Sequence, residues 1–92
     1  MIDILYVNYN SSNVLIQSIS SIINSKDSYQ KNIFIWDNNS KDNVDEIKKI
    51  FPDVTLFKSK KNLGFAKGIN RLLKYTRSTY QVILNPDTLI TN

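Results

Sequence analysis

The chain has no cysteine and no histidine among its 92 residues, and only two glycines and two prolines. Without cysteine there are neither disulfides nor thiolate metal sites, and the redox compartment is left open. Without histidine the commonest general base and the commonest metal ligand are both missing, so carboxylates are the only strong ligands on offer. No apolar run approaches a membrane span, and Met1 leads into a strand-like segment containing Asp3 rather than a signal peptide. The expectation is a cytoplasmic chain. The Gly-x-Gly-x-x-Gly spacing of dinucleotide enzymes is also absent, as is the Walker lysine motif, so neither of those nucleotide-binding classes is supported.

What is present is enough for one small domain. An apolar fraction of 41% and regular patterning argue for a folded chain, burying roughly two-thirds of the surface that the unfolded chain exposes. The formal net charge is +4, with twelve Lys and Arg residues spread along the length and one cluster, Lys58-Ser59-Lys60-Lys61. Such a surplus favours an anionic partner, whether a nucleotide, a nucleic acid or an acidic membrane face. It also serves solubility alone.

The apolar pattern alternates between two periods. Ile2 to Tyr9 reads as a strand buried on both faces, as in a parallel sheet. Asn10-Ser11-Ser12 supplies turn and N-cap chemistry, and Val14, Leu15, Ile19, Ile22 and Ile23 predict a helix from about Asn13 to Ser25. Ile33 to Trp36 is a second strand, stopped by Asp37-Asn38-Asn39-Ser40. Asn43 with Glu46 three residues on resembles a capping box for a short helix, with Val44, Ile47, Ile50 and Phe51 facing inward until Pro52. Val54 to Phe57 is a third strand. Gly64 opens a helix with Phe65, Ile69, Leu72 and Leu73 on one face, ending near Arg77, and Tyr80 to Leu84 reads as a buried strand.

The order β-α-β-α-β-α-β implies parallel strands, right-handed crossovers and helices covering the sheet. Three polar triplets then share the carboxyl edge: Asn8-Tyr9-Asn10, Asp37-Asn38-Asn39 and Asn85-Pro86-Asp87. With sheet order 3-2-1-4, strands 1 and 4 flank a switch point, where open α/β sheets place ligands. Pro86 cannot donate to a ladder, so it ends the last strand and leaves Asp87 just beyond it. A single carboxylate there suits Mg²⁺, which completes its shell with water and phosphate oxygens. Asp37 is placed to reach a base or ribose hydroxyl, with a turn-forming role as the alternative. Gly68, inside an amphipathic helix, costs about 1 kcal/mol relative to alanine. Close approach of the backbone, either to the sheet or to a ligand, is the compensating reason.

Taken together, Val7-Asn8-Tyr9-Asn10, Asp37-Asn38-Asn39-Ser40, Asn62-Leu63-Gly64-Phe65-Ala66-Lys67-Gly68-Ile69-Asn70 and Asn85-Pro86-Asp87 make the chain one that resembles the nucleotide-binding half of glycosyltransferase family 2, the inverting GT-A enzymes, particularly rhamnosyltransferase-like members. The resemblance covers nearly the whole chain, residues 1–92. It implies a Rossmann-like, three-layer half of a GT-A fold that binds a dTDP- or UDP-sugar. Asn8, Tyr9, Asn10, Asp37 and Asn39 would cradle base and ribose, and Gly64, Phe65, Lys67 and Asn70 would close from the other side. Asn-Pro-Asp stands where the family carries Asp-x-Asp, so Asp87 would bind Mg²⁺ or Mn²⁺ bridging the diphosphate. Asn85, in place of the first acid, offers only a neutral oxygen and is the weaker metal contact.

Family members continue well past the position of Asn92 with the acceptor site and the carboxylate base. The resemblance therefore implies a donor-binding portion that is inactive alone and whose catalytic base lies beyond Asn92. Its apolar last strand, at an open sheet edge, would promote self-association. The context that goes with the family is cell-surface polysaccharide synthesis, in the cytoplasm and up to the inner face of the cell membrane. Two other classes compete: a nucleotide-binding module without catalysis, and a small basic nucleic-acid binder using Lys58 to Lys61. The second lacks aromatics grouped on one exposed strand face, so no nucleic-acid partner is expected.

Overall fold

A computed structural model describes residues 1–90; Thr91 and Asn92, the end of the tail, lie outside the described residues. The central strand is β1 (Ile2–Asn8), buried along nearly its whole length because it has a strand on either side and helices on both faces. On one face Ile4 and Tyr6 join a core with Leu15, Ile19 and Ile22 of α1 (Ser12–Ile23), Ile33 and Ile35 of β2 (Lys31–Asp37), and Ile47 of α2 (Asp45–Ile50). On the other, Leu5 and Val7 meet Ile69 and Leu72 of α3 (Phe65–Leu73). Phe34, Trp36 and Phe57 pack against that second core. With β3 (Thr55–Lys58) and β4 (Tyr80–Leu84) the sheet runs β3-β2-β1-β4, every pair parallel. This is the expected order and layering. Each fully buried Leu or Ile contributes roughly 1.5–3 kcal/mol, so the two cores account for most of what holds the helices on.

Several local expectations are corrected. Strand β2 begins two residues earlier than its apolar run because Lys31 and Asn32 pair with Ile2 and Asp3. The capping box does not form: Val44 occupies the N-cap without a side-chain bond, and the Asn43 amide donates to Asn13 Oδ1 instead. Val44 and Ile47 are buried, but Ile50 is exposed. Helix α1 is capped by neither Ser11 nor Asn10. Asp42, from the β2–α2 loop, accepts from Ser12 N at 2.9 Å and from Ser12 Oγ at 2.7 Å. Helix α3 ends at Leu73 rather than near Arg77, and its inward residues are Gly68, Ile69 and Leu72, with Phe65 and Leu73 exposed.

Strand β4 is not a buried strand. Among the described residues it pairs with β1 alone, and it is exposed except at Leu84, with Tyr80 67% accessible. An apolar run records burial in both faces of a sheet, but it does not record whether a neighbour lies beyond the edge.

Gly68 answers to the sheet. A Cβ built on it lies 2.9 Å from both Trp36 Cδ1 and Val7 Cγ2, so the helix sits closer to β1 and β2 than any other residue would allow. At the amino edge, the buried Asp3 carboxylate holds the segment entering β4. It accepts from Arg77 N, Ser78 N, Ser78 Oγ and Asn32 Nδ2 at 2.7–3.0 Å. Burial pushes its pKa up, but the hydrogen bonds from Ser78, Asn32 and Arg77 outweigh it and leave the carboxyl below its ordinary value. No helix among the described residues is long and apolar enough to cross a membrane.

Candidate functional site

The carboxyl ends of β1 and β2 are knitted together by their own polar stops. Asn8 and Asp37 are register partners. Asn8 Nδ2 donates to Asp37 Oδ1 at 2.9 Å, to Ser12 Oγ at 3.0 Å and to Ser40 Oγ at 3.3 Å. Asp37 also accepts from Ser40 N at 2.9 Å and Ser40 Oγ at 2.6 Å. Both serine hydroxyls donate to carboxylates, Ser12 to Asp42 and Ser40 to Asp37, so only an amine face of Asn8 fits between them. Among the described residues its Oδ1 is left buried with no partner. Asp37 itself is 1% exposed with both oxygens engaged, the contacts of a residue that anchors the turn.

Above this buried layer lies a rim. Asn10 and Asn39 both take positive φ, 52° and 68°, a conformation that Asn tolerates best after Gly and that is enriched at binding loops. Asn10 N donates to Ser40 Oγ at 2.8 Å and Asn10 Oδ1 accepts from Lys41 N at 2.7 Å, locking the two loops to each other. The Tyr9 ring, half exposed, stands free at the end of β1. A shallow polar depression bounded by Asn10, Ser12, Asp42 and Asn43 opens beside it.

The third part of the rim is held by a residue the sequence did not single out. Asn38, buried within the second polar stop, accepts from Trp36 Nε1 at 3.0 Å and Leu63 N at 3.2 Å, and donates to the Gly64 carbonyl at 3.1 Å. A buried Asn must satisfy donor and acceptor together. Here it does so by clamping the β3–α3 loop, 26 residues away, to the end of β2. Gly64, at φ 86° and ψ 172°, turns the chain into α3 in a region that is essentially glycine's alone. Phe65 and Lys67 then stand exposed on the first turn of α3. Asn70 is exposed further along the helix, about 8 Å of helix rise beyond Phe65, and is not brought to the strand ends.

Asn85 and Asp87 leave the sheet beside the end of β1, since β4 is the neighbour of β1. A turn bonded from Thr88 N to Asn85 O at 3.0 Å presents them, and both are exposed. Among the described residues the Asp87 carboxylate has no hydrogen bond or ion pair, and no three acidic side chains cluster. The donor set is thus one open carboxylate with a neutral amide oxygen two residues away. That fits a hard cation whose remaining ligands are water and phosphate, and does not fit an all-protein cage.

The sequence matches the model of the family "Glycosyl transferase family 2" over residues 3–92. No curated protein matches it in sequence. Among solved structures, it is similar to the mannosyltransferase PcManGT from Pyrobaculum calidifontis in complex with GDP-Man and Mn²⁺, with TM-score 0.82 and 20% identity over 96% of this chain and 28% of that one. It is also similar to S. aureus TarS 1-349 in complex with UDP-GlcNAc, with TM-score 0.82 and 17% identity over 94% of this chain and 26% of that one. The chain therefore spans about a quarter of the length of these structures. A family match over nearly every residue, on a parallel 3-2-1-4 sheet with its polar stops at one edge, makes this chain a member of glycosyltransferase family 2, carrying the Rossmann-like portion of a GT-A fold.

Proposed function

We propose that the chain is the donor-binding portion of a glycosyltransferase that moves a sugar from a nucleotide-diphosphate sugar to an acceptor hydroxyl, in the synthesis of cell-surface polysaccharide. One observation carries the reading. Tyr9 and Asn10, Asn39, the Gly64–Lys67 turn and Asp87 all come from separate loops, and the topology brings every one of them to the carboxyl edge of one sheet, around the β1/β4 switch point. The ligands named for the two similar structures, GDP-Man and UDP-GlcNAc, are of the same chemical class.

In this reading the Tyr9 ring offers a stacking surface to the base, and Asn10 and Asn39 offer amides to base and ribose from backbone already held in its strained form. Asn8, Asp37 and Asn38 act from below, fixing the rim. Lys67 supplies positive charge toward the phosphates. Asp87, with Asn85 as a weaker neighbour, would hold Mg²⁺ or Mn²⁺, whose charge would stabilise the leaving diphosphate. The base that deprotonates the acceptor is assigned to residues outside this chain, which by itself binds donor without transferring it. The nucleotide is dTDP or UDP, following the family resemblance. The setting is the cytoplasm, up to the inner membrane face, and the open β4 edge promotes self-association.

Calorimetric titration with dTDP and UDP, with and without Mn²⁺, tests this. Metal-dependent binding that is lost in Asp87→Ala supports it. Binding of equal strength without metal and in the variant refutes the assigned diphosphate site.

A further inference from the structure

The charge of this protein is segregated by layer. Seven of the eight carboxylates, Asp3, Asp27, Asp37, Asp42, Asp45, Glu46 and Asp53, precede residue 54, and the eighth is Asp87. Between residues 54 and 86 there is no acidic side chain, while Lys58, Lys60, Lys61, Lys67, Arg71, Lys74 and Arg77 all fall there. The fold turns this sequence asymmetry into a surface one. That segment builds β3, α3 and β4, and among the described residues α3 alone covers the second face of the sheet, opposite α1 and α2.

The α1–α2 side is balanced by local pairs, Lys31 with Asp27, Lys49 with Glu46 and Lys58 with Asp45. On the α3 side no ion pair forms among the described residues, and Lys60, Lys61, Lys67, Arg71, Lys74 and Arg77 are all exposed. Lys67, Arg71 and Lys74 are spaced four and three apart. They share the helix face opposite the buried Gly68, Ile69 and Leu72. Phe65 and Leu73, 51% and 42% exposed, lie on the other side of the helix, three or four residues from Gly68 and Ile69.

We infer that the outward face of α3 docks on an anionic lipid bilayer. A row of cations along the outward face of a helix, with no ion pair among the described residues, fits a surface of anionic lipid headgroups: each Lys or Arg gains from the negative surface potential. Nucleic acid fits less well. Binding of single strands by base stacking has little to work with on this face, because one side of the Tyr75 ring is already stacked on Phe57 at 4.5 Å. The inference does not depend on the donor site, because Arg71 and Lys74 are not part of it.

The test is co-sedimentation of the chain with phosphatidylcholine vesicles, with and without about one-third phosphatidylglycerol, at low and high salt. The expected result is binding to the anionic vesicles only, falling as salt rises. Arg71→Gln with Lys74→Gln should weaken it about 25-fold, roughly fivefold per charge. Lys26→Gln with Lys49→Gln makes the same change of net charge on the opposite side and should change it less than twofold. Circular dichroism confirms that both variants are folded. Equal loss in the two variants, or no vesicle binding, overturns the inference. So does a single-stranded oligonucleotide that binds more tightly than the anionic vesicles and displaces them.

Discussion

Asn8 Nδ2 lies 2.9 Å from Asp37 Oδ1, across the last register pair of β1 and β2, and neither residue is more than 1% exposed. The bond ties together two loops whose outer residues, Tyr9, Asn10 and Asn39, form the rim of the proposed donor site. The rim is therefore only as well placed as this buried pair.

Replacing Asp37 with Asn opposes an amine to one of three donors, Asn8 Nδ2, Ser40 N and Ser40 Oγ. The expected cost is about 2–3 kcal/mol, the usual range for a buried hydrogen bond to a charged group left unmade. Urea unfolding measures it. Asn8→Ala is expected to cost about 1–3 kcal/mol, and the double variant less than the sum of the two. Strict additivity would show that the pair is not coupled.

Asp3 contributes to the acid limb of stability. Its folded pKa lies below the ordinary 3.8, so its contribution is complete above that value and is lost as pH falls through the lower folded one. Wild type and Asp3→Asn should differ most at neutral pH, and their urea midpoints should converge as the carboxyl protonates. A difference that stays constant down to acid pH would contradict this assignment.

The two glycines should fail for different reasons. Gly64→Ala meets no atom within 4 Å but must adopt φ 86°, at a cost of about 1–3 kcal/mol in strain. Gly68→Ala gains helix propensity of about 1 kcal/mol yet drives a methyl into Val7 and Trp36 at 2.9 Å, with overpacking of about 1–3 kcal/mol. Thermal unfolding of Gly68→Ala in a Val7→Ala background separates them. The added methyl should be tolerated there, and no such rescue is expected for Gly64→Ala.

The alternation of elements and the sheet order were legible because two-face burial writes continuous apolar runs, as in Ile4 to Val7, and parallel strands need crossovers. The polar stops were legible as triplets. Their internal division of labour was not. Asp42 capping α1 and Asn38 clamping Gly64 are contacts over 30 and 26 residues, and no local pattern distinguishes either side chain from a solvated loop residue. The exposure of Ile50 and Phe65 was hidden for a related reason, whereas the open edge at β4 was expected. Apolarity marks what a residue prefers, whereas what covers it is a property of the assembled layers.

The β4 edge carries its own prediction. Tyr80, Val82 and Ile83 are exposed at 67%, 39% and 48% on a strand that, among the described residues, pairs on one side only. Sedimentation equilibrium should show mass rising with concentration, and Val82→Lys with Ile83→Lys should suppress it. A monomer at every concentration would rule out association through this edge.

The central claim, that a cation held at Asp87 shares a crevice with the ends of β1 and β2, is tested most directly by nuclear magnetic resonance of the ¹⁵N-labelled chain. Trace Mn²⁺ is added in the presence of UDP or dTDP. The account predicts paramagnetic broadening centred on Asn85 to Thr88, extending to Tyr9 and Asn10, dependent on nucleotide and abolished by Asp87→Ala. Broadening centred elsewhere, or unchanged in the variant, would contradict it.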